Sequence, residues 1–142
     1  MEQATTRAAW LARLAVGGVG LVNLSCAGAF WLWPADYAPA FNLEGVPGQV
    51  MVRALGLLFV MWTATYPLVF LQPARHLPLF GVIVAQQVIG LAGETWLWLH
   101  VPAAYPALRA AGLRFIAFDG VGLVLLAGAG LAVWRASRRT QR

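Results

Sequence analysis

A chain of 142 residues that is 61% hydrophobic and only 11% charged does not suit a soluble domain, in which about a quarter of residues carry charge. The net charge of +5 rests on ten arginines and no lysine, placed beside apolar runs and at the C-terminus, a pattern that suits membrane orientation and not nucleic acid. One cysteine, Cys26, excludes an internal disulfide and a cysteine-based metal site, and two histidines, His76 and His100, argue against a metal or haem held by paired imidazoles.

Residues 1–13 are a short polar start in which Arg7 and Arg13 flank Trp10. Residues 14–33 then carry no charge over 20 positions, about the length of a bilayer-spanning helix. A signal peptide has a similar start but an apolar core of only about 7–15 residues, so this run is read as a retained first helix over 11–33. Pro34 ends it, and the stretch from Pro34 to Gln49, with Asp36, Glu44 and further prolines, reads as an ordered or semi-ordered loop. Trp31, Trp33, Tyr37 and Phe41 suit the headgroup zone, where amphipathic rings collect.

A second helix is predicted over 50–71, with Arg53 near its start and Tyr66-Pro67 set to kink it late. The connection QPARHLP leaves room only for an antiparallel neighbour. The third helix, 77–100, places Gln86, Gln87, Gly90, Gly93, Glu94, Leu97 and His100 on one face about 140° wide. Hydrocarbon does not solvate two amides and a carboxylate, so this face must turn toward protein or trapped water. A proline-containing loop follows, and the fourth helix, 113–134, carries Arg114 and Asp119 and ends in the basic tail RASRRTQR. On it Phe115, Asp119, Gly122, Leu126, Ala129, Gly130 and Val133 share a face, a stripe of small residues that lets helices approach closely. The expected fold is an all-α membrane protein, a single domain forming an antiparallel four-helix transmembrane bundle.

Four spans put both termini on one side with Arg7, Arg13, Arg75, Arg135, Arg138, Arg139 and Arg142, against Arg53, Arg109 and Arg114 on the other. The positive-inside rule then places the termini in the cytoplasm of a bacterial-type inner membrane. At 1.5 Å per residue, Glu94 lies roughly 8 Å below the outer end of its helix and Asp119 roughly 6 Å deeper than Arg114. Arg53, Glu94, Arg114 and Asp119, with His100 above them, are therefore expected to converge in the outer half, over the deeper Asn23, Gln86 and Gln87. The plainer reading of this cluster is an ion-pair network that fixes which helices are neighbours. The functional reading is an outward-opening polar pocket that binds a small molecule or relays protons.

The four-helix plan and the Arg53-x-x-Gly56 start of the second helix resemble the DoxX-like group of small bacterial membrane proteins. That resemblance implies a quinone-linked or redox accessory role, and no individual active residue is carried over from it. Small multidrug transporters of similar size rely on a carboxylate in the first helix, where this chain has Asn23 and Ser25. A non-enzymatic scaffold or accessory subunit is the first functional expectation, with lipid, a second copy or a larger membrane complex as partners. Binding or transport of a quinone- or lipid-like small molecule through the outer polar cluster is the alternative, and a proton-carrying enzyme using Glu94 or Asp119 is the third.

Overall fold

The computed structural model describes residues 2–140, with side chains described for 6–139, and contains helices and no strands among them. Six α-helices follow in order: α1 (Glu2–Leu32), α2 (Pro34–Tyr37), α3 (Gly45–Thr63), α4 (Tyr66–Leu71), α5 (Leu77–His100) and α6 (Pro106–Thr140), with a 3₁₀ turn at Ala38–Phe41. Four stretches are long and apolar enough to cross a membrane: Thr6–Leu32, Gly45–Leu71, Leu77–His100 and Pro106–Arg139. The outward surface agrees, since large apolar side chains such as Leu14, Leu21 and Val124 (72%) are exposed. This is a multi-pass membrane protein. Arg142, counted in the basic tail, lies outside the described residues.

Proline explains most of the differences between the expected and observed helix ends. Trp33, held out of helical geometry before Pro34, stops α1. The segment that follows is largely helical: Pro34 opens α2, and Asn42, in left-handed geometry, ends the 3₁₀ turn. Helix α3 starts at Gly45, not near residue 50, and α6 starts at Pro106, not near 113. In both, a proline read as a breaker occupies the first turn, where the missing N–H has no helical partner to lose. Within the second span the chain breaks at Ala64 and Thr65, just ahead of Pro67. The ring of Pro67 excludes the carbonyl of Thr63 four residues back, and Ala64 N–H turns instead to Met61 O at 3.3 Å.

Packing divides the molecule into two apolar clusters. Toward the chain termini, Ala12 and Val16 of α1 pack with Val69 of α4, Phe80 and Ile83 of α5, and Leu126 and Val133 of α6. At the other end Phe30 and Val52 pack with Tyr37, Phe41, Phe59 and Phe115. Helix α1 lies against both α3 and α6, and α5 lies against α6. Early α5 meets late α6, where Phe80 covers Gly130, and late α5 meets early α6, where Trp98 covers Gly112. Two arginines close helix C-termini, as cations near free carbonyls do. Arg13 donates to Phe70 O (3.2 Å) and Leu71 O (3.1 Å) at the end of α4. Arg109 donates to Val101 O (2.6 Å) beyond α5 and lies over the Trp98 ring at 4.2 Å, while Trp98 Nε1 donates to Arg109 O (3.1 Å).

Candidate functional site

Between the two apolar clusters runs a polar layer. Gln87 of α5, almost wholly buried, donates from Nε2 to Asp119 Oδ1 (2.7 Å) and to Asp119 O (3.3 Å) on α6. Two glycines make room for this crossing. A Cβ at Gly122 would stand 2.8 Å from Gln87 Nε2, and one at Gly90 would collide with Asp119 Oδ2. One turn beyond Gly90, the Glu94 carboxyl faces that of Asp119 within hydrogen-bonding reach. An ionised carboxylate can only accept, so these two groups can hydrogen-bond to each other only where one of them carries a proton.

The second Glu94 oxygen, Oε2, is buried without a hydrogen-bond partner, as are Gln86 Oε1, Thr65 Oγ1 and the Tyr66 hydroxyl. The Tyr66 hydroxyl stands beside Asn23 and Trp62. Buried polar atoms are nearly always paired in folded proteins, so Glu94 Oε2, which belongs to the groove lining, is a place that a further polar group would satisfy.

The layer is the floor of a groove. A cavity of about 390 Å³ lies between α3 and α5, walled by Leu55, Leu58, Phe59 and Trp62 on one side and by Gly90, Gly93 and Leu97 on the other. Asn23 of α1, Gln87 and Glu94 of α5 and Asp119 of α6 supply its polar lining. It stays open because α3 packs chiefly on α1 and α5 chiefly on α6, and because Gly90 and Gly93 leave no side chain to fill it. A Cβ at Gly93 would meet nothing within 4 Å. Leu58, Ile89 and Leu97 line the groove and are also exposed on the outer surface, so they form its lips.

Of the residues expected to cluster, the structure brings together Asn23, Gln87, Glu94 and Asp119. Gln86 is half-buried beside Gln87 and does not line the groove. Arg53 is exposed on α3, and Arg114 lines a different cavity. Among the described residues neither arginine forms an ion pair or hydrogen bond, and the carboxyls face each other instead. Rise per residue sets depth, whereas the direction a side chain takes around its helix relative to the neighbouring helices depends on packing. His100 is exposed, with Nδ1 2.7 Å from Trp96 O and its ring 4.4 Å from the Trp96 ring. No group of three or more His, Cys, Asp or Glu residues lies together among the described residues.

Trp62, Thr65 and Tyr66 were not singled out as site residues by sequence. Tyr66-Pro67 signals a kink; Tyr66 is buried just past the break, Thr65 is half-buried in it, and Trp62, on α3 ahead of it, lines the groove. Compared with protein-family models, curated proteins and solved structures, the chain matches none of them.

Proposed function

We propose that this protein is an antiparallel four-helix bundle of a bacterial-type inner membrane, with both termini cytoplasmic, that binds a small apolar molecule carrying a polar head. The groove between α3 and α5 is the site, and a quinone- or lipid-like compound is the ligand class. The observation that carries this reading is an open groove of about 390 Å³ with apolar walls and a polar floor of Asn23, Gln87, Glu94 and Asp119, in which Gln87 donates to Asp119 and Glu94 faces it. That volume lies in the range of small-molecule sites, about 300–1,000 Å³.

The carboxyl pair offers acceptors, and a donor where one carboxyl is protonated, to a carbonyl or hydroxyl head, and Gln87 holds Asp119 in place from behind. The apolar walls and lips accommodate the tail. The orientation is supported by the arginine asymmetry, and the DoxX-like plan points to the same ligand class. An ion-pair scaffold draws less support, since the carboxyls do not meet Arg53 or Arg114 directly among the described residues.

The test is saturable binding of decyl-benzoquinone to protein in mild detergent, above its partition into empty micelles. Gly93→Leu should fill the groove without a clash, keep the wild-type melting temperature and lower affinity at least tenfold. Glu94→Gln with Asp119→Asn replaces both carboxyls by amides of the same shape and should fold while losing the same affinity. Wild-type binding in a folded Gly93→Leu protein overturns the site.

A further inference from the structure

Asn23 and Phe59 line a second cavity as well as the groove. This one, of about 270 Å³, lies between α1 and α6, where Cys26 and Phe30 face Phe115 and Phe118, and it is bounded by Tyr37 and Phe41. Four phenylalanines from four separate segments form a wall of it and pack against one another in a closed cycle of ring contacts. Phe30 meets Phe41 at 5.8 Å, Phe41 meets Phe115 at 6.1 Å, Phe115 meets Phe59 at 6.0 Å and Phe59 returns to Phe30 at 6.1 Å. Tyr37 adds a fifth ring, 5.0 Å from Phe30.

Well-packed interiors leave few voids larger than a water molecule, so an open space of this size beside a packed ring cluster is room for a ligand. An engineered apolar cavity of about 150 Å³ takes benzene, so the larger space here has room for a fused two-ring system. Aromatic walls favour a flat ring, which they meet face-on or edge-on.

The one charged residue in the lining is Arg114, which is exposed and has no hydrogen bond or ion pair with another described residue. It lines the same cavity as Phe115 and is exposed, so its guanidinium is open to a ligand's polar group. A guanidinium binds a carboxylate through two parallel N–H donors, a geometry an ammonium does not match.

We propose that this cavity is a second ligand site, which takes a small aromatic carboxylic acid with its rings against the lining phenylalanines, Phe30, Phe115 and Phe118 among them, and its carboxylate on Arg114. It is independent of the groove ligand, and the experiment separates the two. Equilibrium dialysis of labelled 2-naphthoate against the full chain in neutral detergent should show saturable binding beyond that of empty micelles. Arg114→Gln should weaken it at least tenfold while leaving the uncharged methyl ester bound as in wild type.

Gly93→Leu, which fills the groove, should leave naphthoate affinity unchanged. Octanoate, with the same charge and no ring, should bind at least tenfold more weakly than naphthoate. Methyl methanethiosulfonate should modify Cys26, the single cysteine and part of the lining, more slowly when naphthoate is bound. Equal affinity of Arg114→Gln and wild type for naphthoate overturns the role of the guanidinium. Equal binding of octanoate overturns the ring pocket. Loss of naphthoate binding in a folded Gly93→Leu protein assigns the ligand to the groove and overturns this site.

Discussion

At the scale of single residues, the polar layer depends on side chains that are missing. The contact of Gln87 with Asp119 exists because positions 90 and 122 are glycine. Gly122→Ala should therefore push the Gln87 amide off Asp119 and lower stability in detergent by about 1–3 kcal/mol, the cost of stranding a buried polar group. Gly128→Ala, whose Cβ would meet nothing within 4 Å, is the matched control and should melt with wild type.

Arg109 makes a second prediction. Arg109→Ala removes the donor to Val101 O and the cover on Trp98, and should cost about 1 kcal/mol, the scale of a cation at a helix C-terminus. Arg109→Lys should recover only part of the thermal midpoint, since lysine supplies charge without a planar face. The capping role of Arg13 was not legible in the sequence, because its acceptors lie on a helix distant in sequence that only packing makes adjacent. The polar face of the third span was legible, because Gln87, Gly90, Gly93, Glu94 and Leu97 follow helical spacing and line one groove.

At the scale of elements, apolar length identified the four spans, and proline decided their ends. Helix α5 occupies the apolar run at 77–100, whereas α3 and α6 reach back to Gly45 and Pro106. A proline says that a helix does not continue through its ring, but the same residue opens a helix as readily as it ends one, and only the backbone ahead of it decides. Gly56 shows how a motif acquires a physical reason. A Cβ there would stand 2.8 Å from Trp31 Cδ1 and 3.1 Å from Ala27 O, so the glycine lets α3 approach α1. Gly56→Ala should force the two helices apart and lower stability by about 1–3 kcal/mol, read as a fall in melting temperature. The small-residue stripe of α6 behaves alike: Gly122 seats Gln87, Gly130 seats Phe80, and Leu126 and Val133 are buried.

At the scale of the whole molecule, orientation carries a direct prediction. In a Cys26→Ser background, cysteines at positions 44 and 104 should react with an impermeant thiol reagent added outside intact cells, and one at 137 should react only after lysis. Reaction of the first two only after lysis would reverse the orientation. The charges illustrate what a chain reveals of its assembly. Depth along each span was readable from spacing, so the similar level of Glu94 and Asp119 could be anticipated. Which charges meet depends on how each helix is rotated against its neighbours, and that placed carboxyl against carboxyl and left Arg114 to the aromatic cavity.

The exposed lips of the groove change what binding means in a bilayer. Leu58, Ile89 and Leu97 border acyl chains, not water, so a ligand that enters displaces a hydrocarbon tail of similar polarity. The tail-for-tail exchange then yields almost no hydrophobic gain, since lipid is as apolar as leucine. Discrimination falls to the head group against Gln87, Glu94 and Asp119, and affinities should track the chemistry of the head and stay nearly flat with tail length. For the same reason a detergent acts as a competitor, and one with a bulky head excluded from the floor will report tighter binding than one whose head reaches it.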